Sequence, residues 1–158
     1  MNLLATTRFN NDTLQQNRLW KEKNNHHGSI YGTPLRMSER YLMDDSVFII
    51  EMNNDENQVA GVGLIKNYIY EDKKYRIYKD GNYNRYIYKS NFHISRDEMT
   101  DEQINDMKLI EEELFYGKGH LKRGHGITSF PEKKKKKECY EICKKAFLQK
   151  YPKKRENI

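Results

Sequence analysis

The chain has 158 residues, and its mean hydropathy of −1.06 places it among strongly polar proteins. Disordered chains are poor in aromatic residues, whereas this one contains twelve Tyr, six Phe and one Trp, which favours a folded domain with a small, Tyr-rich core. Nothing in the sequence approaches a membrane span or a secretion signal. We therefore expect a single intracellular domain, cytoplasmic or nuclear, over residues 1–158, with no membrane partner.

Positive charge is concentrated in the last quarter of the chain. Residues 117–158 contain twelve Lys and two Arg against four Glu, a net charge of +10, whereas the whole chain carries +6. Residues 1–116 therefore carry −4. A mildly acidic body with a basic end is typical of a polyanion binder, because Lys and Arg contacts to phosphate supply much of the affinity for nucleic acid. The charge pattern predicts RNA or DNA as the partner.

The first third of the chain alternates between turn and helix signals. Residues 1–9 resemble a loop, and the Asn and Asp residues at 10–12 supply turn chemistry. One or two helical turns are predicted over 13–20, followed by a polar loop at 21–32. A short helix is predicted at 38–42.

Strands dominate the middle of the chain. The apolar runs 47–52 and 59–65 have the length and β-branched composition of buried strands, and the polar turn between them predicts a central hairpin. Gly61 and Gly63 lie on one face of the second strand, where side chains would obstruct a close neighbour or a ligand.

Two further strands are predicted near 75–79 and 85–90. Asp80 and Gly81 lie between them and give a strong hairpin signal. Tyr and charged residues dominate both segments, as in exposed or edge strands.

Two helices are predicted to close the chain. Thr100 begins a capping-box sequence, and Gly117 is a natural stop for the helix that follows. Pro131 suits the first position of the last helix, on whose apolar side Cys139 and Cys143 are expected to be buried rather than to bind metal. Mixed strands followed by helices predict an α+β fold with a small curved sheet or open barrel flanked by helices.

Several segments between residues 8 and 70 are similar to the PUA-like superfamily, especially its EVE and YTH branches. They are an early Trp20, the Gly-Thr-Pro sequence at 32–34, and the two strand segments 43–51 and 59–65. The resemblance implies a single PUA-like domain over 1–158, with the basic loop and helix at 117–158. Characterised members recognise modified bases, N6-methyladenine in RNA for YTH and modified cytosine or related bases in DNA for several EVE-like domains.

The resemblance also implies a base pocket. Trp20 matches the Trp that forms one wall of the YTH aromatic cage, and Asn10 and Asn11 match an upstream turn that hydrogen-bonds the base. Because the chain has no second Trp, Tyr68 and Tyr70 are candidates for another wall. An aromatic face that stacks on a base contributes about 1–3 kcal/mol. The alternative for Trp20 is a place in the core.

The segment 117–127 has the composition of a phosphate-binding loop, since its four Gly allow the backbone to wrap an anion. The side chains expected to contact nucleic acid there are Lys118, His120, Lys122, Arg123 and His125. The alternatives are a solvated connection between helices, or a nuclease in which His acts as general base or metal ligand. No ligand spacing supports the nuclease.

Five consecutive lysines begin the last predicted helix, against the positive end of its dipole, which favours an anionic partner. They are Lys133, Lys134, Lys135, Lys136 and Lys137. The alternatives are a solvated face, or a nuclear localisation signal together with the basic residues 153–155.

The sequence thus predicts a nucleic-acid-binding protein that reads a modified or flipped base, with RNA favoured over DNA. The competing classes are a protein-interaction or ribosome-docking module that uses the basic end, and a nuclease. No catalytic residue, metal or cofactor is predicted, and the enzyme interpretation is the weakest of the three.

Overall fold

The computed structural model describes residues 3–152, and a long hairpin lies at the centre of its main sheet. The chain forms seven strands, three α-helices and three short 3₁₀ turns within these residues. In chain order they are β1 (Leu4–Phe9), α1 (Asn11–Lys23), β2 (Ile30–Thr33), β3 (Ser46–Asn53), β4 (Gln58–Lys66), a 3₁₀ turn (Gly81–Asn84), β5 (Tyr86–Lys89), β6 (His93–Ser95), a 3₁₀ turn (Arg96–Glu98), α2 (Asp101–Phe115), β7 (Thr128–Ser129), a 3₁₀ turn (Glu132–Lys134) and α3 (Lys136–Lys150).

The main sheet has five strands in the order β6-β4-β3-β1-β7. β1 is parallel to β3, and every other pair in this sheet is antiparallel. β2 and β5 form a separate antiparallel ribbon. The α+β class and the central hairpin are confirmed, and the sheet is open rather than closed into a barrel.

A separate core packs on each face of the main sheet. Along β3, Phe48, Ile50 and Met52 face helices α2 and α3, whereas Val47 and Ile49 belong to the core beneath the β2–β5 ribbon. Burial on both faces explains why β3 and β4 read as continuous apolar runs rather than alternating ones. Among residues 3–152, no helix combines the length and apolar character needed to cross a bilayer.

Helices α2 and α3 confirm the two helices predicted at the chain's end, but α3 begins at Lys136 rather than at Pro131, so only Lys136 and Lys137 of the lysine run lie in this helix. Thr100 and Gln103 cap α2 reciprocally, and Gly117 follows the helix with a φ of +79°. In α3, Cys139 and Cys143 are buried and unpaired. Burial raises the pKa of Cys139 to about 12 and raises that of Cys143 as well, so both thiols are protonated packing groups at neutral pH.

Two predictions in the N-terminal third were wrong. Residues 4–9 are strand β1 rather than a loop, and residues 38–42 form turns rather than a helix. β1 was missed because half of its residues are polar, although it lies between β3 and β7 with Thr6 fully buried. The helix at α1 extends beyond the predicted 13–20, and part of the predicted loop at 21–32 belongs to α1 and β2.

The predicted hairpin around Asp80 was also wrong. Residues 75–79 are not a strand, and the Asp80 side chain accepts a hydrogen bond from the Asn82 N–H in the turn that leads to β5. β5 pairs with β2, more than fifty residues earlier, instead of with its neighbour. The turn predicted at Asp80 and Gly81 is present, but the strand that pairs with β5 is β2, which is distant in the sequence.

Candidate nucleic-acid interface

A cleft of about 760 Å³ opens where β4 ends and where β5 ends. Its volume lies in the range of small-molecule pockets. Tyr68 is 51% exposed at its edge, and Lys66 and Lys89 contribute cations. The complete lining is Met43, Asp44, Ser46, Leu64, Ile65, Lys66, Tyr68, Tyr70, Lys89, Ser90, Asn91 and Phe92.

Aromatic rings and ammonium groups alternate along one wall of this cleft. The rings of Tyr68 and Tyr70 meet edge to face, with centroids 5.0 Å apart. The Lys89 Nζ lies 4.8 Å from the Tyr70 ring centroid and 5.1 Å from that of Tyr75. Tyr68 is exposed and Tyr70 and Tyr75 are not, so the arrangement offers one accessible ring for stacking with a cation nearby, the combination used by proteins that bind single strands.

Trp20 extends the same array away from the cleft. Its ring centroid is 5.7 Å from that of Tyr75 and 6.0 Å from that of His26, and the Lys73 Nζ lies 5.7 Å from the indole. The indole is half-buried against the ribbon-side core and is not part of the cleft lining. Trp20 therefore supports Tyr75 and presents only part of its surface to solvent.

The segment that carries this array is itself basic. Residues 66–89 contain seven Lys and Arg against three acidic residues, a net charge of +4, together with seven of the twelve Tyr. Sequence reasoning missed it because residues 1–116 were treated as one acidic body. A charge count over a window of about two dozen residues, together with the number of Tyr in that window, identifies this segment from the sequence.

Asn10 and Asn11 lie at the other end of α1. The Asn10 side chain accepts a hydrogen bond from the Thr13 N–H at 2.8 Å and caps the helix. Asn11 donates its N–H to Asp55 at 2.8 Å. Ten helical residues separate Asn10 from Trp20, about 15 Å along the axis. The structure therefore does not bring the two Asn residues to the aromatic array.

Side-chain hydrogen bonds to its backbone carbonyls anchor the glycine loop, residues 117–127, to strand β1 and to the turn between β3 and β4. The Arg8 Nε donates to the Leu121 carbonyl at 2.6 Å, and the Asn54 Nδ2 donates to the Lys122 carbonyl at 2.9 Å. Gly124 and Gly126 have φ angles of +112° and +75°, which other residues rarely adopt. The loop therefore has a defined backbone conformation that hydrogen bonds hold in place, unlike an unconstrained connection between helices.

Most cationic side chains of the loop face solvent. Lys118 and Arg123 are exposed and Lys122 is half-buried. The two histidines have separate partners: the His120 Nδ1 accepts from the Lys122 N–H at 3.2 Å, and the His125 Nδ1 lies 3.0 Å from the Tyr83 hydroxyl. Among residues 3–152, no three His, Cys, Asp or Glu side chains converge as metal ligands.

The lysine run lies next to this loop. The Lys134 Nζ would be 3.2 Å from a Cβ built on Gly119, so its ammonium group rests against the loop. Lys136 pairs with Glu132 at 3.1 Å, and Lys135 lies 3.9 Å from Glu113. Lys133 and Lys137 are exposed. The run breaks at Lys135, which has a φ of +57°, and α3 begins at Lys136.

The cleft and the glycine loop lie at opposite ends of the β3–β4 hairpin. Ser46 and Lys66 border the cleft, whereas Asn54, in the hairpin turn, holds the loop. β3 has eight residues, which at 3.3 Å each separate its ends by about 23 Å. The predicted contacts therefore divide into two groups, aromatic at one end and basic at the other.

A buried ionic network, which the sequence did not predict, lies beneath the ribbon. Both oxygens of the Glu51 carboxylate are engaged: Oε1 accepts from Arg18 at 2.6 Å, and Oε2 accepts from the Tyr31 hydroxyl at 2.6 Å. The His93 Nε2 lies 2.8 Å from Oε2. Burial alone would raise the pKa of Glu51, but Arg18 and His93 hold it well below its ordinary value.

Lys21 completes this network from α1. Its Nζ lies 3.3 Å from the His93 Nδ1, and burial lowers the pKa of Lys21 to about 8. Burial likewise lowers the pKa of His93, although Glu51 opposes the change. The geometry favours a neutral imidazole between an ammonium group and a carboxylate.

Gly61 and Gly63 make room for this network, which confirms the close approach expected on that face of β4. A Cβ on Gly61 would lie 2.8 Å from the Glu51 Oε1, and one on Gly63 would overlap the Tyr31 hydroxyl and the Ser29 Oγ. The close neighbour expected at these two glycines is therefore a group of polar side chains within the protein.

The network is connected to the wall of the cleft through short contacts. Ser29, next to Gly63, donates its hydroxyl to the Phe92 carbonyl at 2.6 Å and its N–H to the Ser90 carbonyl at 3.1 Å. Ser90 and Phe92 both line the cleft, and His93 follows directly. Ser29 therefore joins the surroundings of the ionic network to that wall.

Comparisons of the chain with protein-family models, with curated proteins and with solved structures gave no match. The cleft, the glycine loop and the lysine run are therefore the features of the molecule that bear on its function.

Proposed function

We propose that this protein binds single-stranded nucleic acid, RNA in preference to DNA, and that the cleft holds a base flipped out of the strand. The observation that carries the proposal is the Tyr68–Tyr70 pair with the Lys89 ammonium against the Tyr70 ring. The resemblance to EVE and YTH domains extends the proposal to a modified base and to a PUA-like arrangement of the sheet.

Stacking requires a single strand or an unpaired base, because the faces of paired bases are covered inside a duplex. Unstacked bases in RNA loops and ends are the usual targets of sequence-specific RNA recognition, and aromatic side chains receive them. Asp44, Ser46 and Asn91 add polar groups to the cleft that can pair with a base edge. The cleft thus combines a stacking surface with donors and acceptors.

The basic end supplies the sequence-independent part of binding. Lys118 and Arg123 of the loop and Lys133 and Lys137 of the run are exposed cations, suited to phosphate. In this proposal, affinity comes mainly from the basic end and selectivity from the cleft.

Direct titration tests the proposal. We expect a labelled twelve-nucleotide single-stranded RNA to bind more tightly than the matched DNA, and both to bind more tightly than the duplex. The affinity should fall steeply with salt, because bound cations release counterions. Polyglutamate of similar charge should compete weakly. Absence of binding at 50 mM salt, or equal competition by polyglutamate, would contradict nucleic-acid binding and favour an acidic protein partner.

The glycine loop gives a second prediction. Replacing Lys122 and Arg123 with Ala should weaken RNA binding and reduce the salt slope by about 1.4, at about 0.7 per lost phosphate contact on a single strand. The thermal midpoint should change little, because the anchoring bonds use the carbonyls of Leu121 and Lys122, which Ala retains. Unchanged affinity together with a large drop in the midpoint would make the loop a structural element.

A further inference from the structure

We infer that Tyr86, held between Arg36 and Arg85, is a third contact point that lies between the cleft and the glycine loop, so that one extended strand touches all three. The inference rests on the proposed function and specifies its ligand as an extended single strand rather than an isolated base or nucleotide.

Two guanidinium groups flank the Tyr86 ring. The Arg36 Cζ lies 5.0 Å from the ring centroid and the Arg85 Cζ lies 5.4 Å from it. Both arginines are exposed. A guanidinium group that stacks on a ring keeps its N–H edge available for phosphate, which it can bind through two parallel hydrogen bonds.

One chain segment connects this point to both of the other sites. Residues 34–45 begin at the glycine loop, where the Leu35 carbonyl would be 3.8 Å from a Cβ on Gly126. They pass along β5, where the Tyr88 hydroxyl accepts from the Met37 N–H at 2.9 Å. They end at Met43 and Asp44, which line the cleft. Arg36 follows Leu35 directly, so the Tyr86 point lies on this route.

Exposed apolar side chains mark the same route. Within residues 3–152, seven large apolar side chains are exposed. Four of them lie in the segment 34–45 or at the cleft: Leu35 at 60%, Leu42 at 68%, Met43 at 64% and Tyr68 at 51%. Such a concentration marks an interaction surface. Apolar groups that alternate with Arg and Lys fit a chain of bases and phosphates better than an acidic protein, which offers few flat apolar faces.

The spacing sets a minimum length for the ligand. Lys89 in the cleft and Tyr86 are the ends of β5, about 10 Å apart, which equals about three nucleotides at the stacked spacing of about 3.4 Å. Thr33, paired with Tyr86, lies against Gly126 of the loop. The cleft and the loop are about 23 Å apart, so a strand that reaches all three points needs about eight nucleotides at this spacing, whereas a dinucleotide in the cleft cannot reach Tyr86.

The test compares two- and twelve-nucleotide single-stranded RNAs. For the Arg36→Ala, Arg85→Ala double variant we expect at least a tenfold loss of affinity for the twelve-mer, a salt slope smaller by about 1.4, and unchanged affinity for the dinucleotide. The control is Lys108→Ala, which removes an exposed positive charge from α2 on the opposite face of the sheet and should have little effect.

Three outcomes decide between the claims. Wild-type affinity of the arginine variant for the twelve-mer, or an equal loss in the lysine control, would overturn the three-point route while leaving base binding in the cleft intact. An equal loss for both RNA lengths would also overturn it, because the arginines would then act within the cleft. If neither RNA binds the wild-type protein, the proposed function itself fails. An Arg36→Lys, Arg85→Lys variant should retain most of the salt slope.

Discussion

Replacing Glu51 with Gln is expected to lower the free energy of unfolding by about 3–5 kcal/mol, the usual cost of breaking a buried ion pair. The carboxylate is almost completely buried and accepts hydrogen bonds from Arg18 and Tyr31, with His93 at 2.8 Å. An amide has only one acceptor oxygen, so at least one of these groups loses its partner and an uncompensated guanidinium charge remains.

Denaturant unfolding at pH 7 measures this effect. Glu112→Gln is the matched control, because Glu112 is exposed on α2 and its substitution should change stability by less than about 0.5 kcal/mol. A loss below about 1 kcal/mol for Glu51→Gln would mean that the network contributes little to the fold.

The network also predicts how stability depends on pH. The folded protein depresses the pKa of Glu51, so this group stabilises the fold above its ordinary pKa of 4.5 and loses that contribution as the pH falls below it. The folded protein also depresses the pKa of His93 from 6.5, so the unfolded chain takes up that proton first and stability decreases below about pH 6.5. Both groups make the protein less stable as the pH falls, and the Glu51→Gln variant should lack the loss of stability that occurs below about pH 4.5.

The largest expected effect on binding comes from Tyr68→Ala with Tyr70→Ala. A base that stacks on an aromatic ring contributes about 1–3 kcal/mol, so loss of both rings, which removes the stacking surface for the one base in the cleft, should weaken single-stranded RNA binding by about fivefold to 150-fold. The salt slope should stay close to that of the wild type, because the phosphate contacts remain. Tyr116→Ala is the control, since that side chain is 54% exposed, close to the 51% of Tyr68, but follows α2.

The thermal midpoint separates this effect from misfolding. Tyr68 is exposed and Tyr70 is half-buried, so the double variant should remain folded. Equal binding by the double variant and by Tyr116→Ala would remove the stacking role of the cleft and leave only charge-driven binding by the basic end.

Local sequence patterns predicted the elements whose stability is local. The capping box identified the start of α2, and the two β-branched runs identified β3 and β4, because the residues responsible are adjacent in the chain. β1 and the β2–β5 ribbon were missed, since their partners lie tens of residues away. A Thr-rich segment such as residues 4–9 becomes a strand only when neighbouring strands cover both of its edges.

The same contrast between features set by adjacent residues and features set by distant partners applies to the candidate site. The sequence indicated Tyr68 and Tyr70, which the fold places in the cleft, and their role in binding stays a prediction. It did not indicate Lys89, whose ammonium reaches the Tyr70 ring from the end of β5. The Glu51 network was likewise invisible, because it joins α1, β2, β3 and β6 through side chains up to 75 positions apart. Only the two glycines of β4 signalled that something lay close by.

Photo-cross-linking tests the central claim most directly. A twelve-nucleotide RNA that carries 5-iodouridine, irradiated in complex with the wild-type protein and analysed by peptide mass spectrometry, should cross-link mainly within residues 66–89, at Tyr68 or Tyr70. Phosphate contacts at the basic end should give few cross-links, because they do not involve the bases. Cross-links confined to residues 117–137, with none in residues 66–89, would contradict base binding in the cleft.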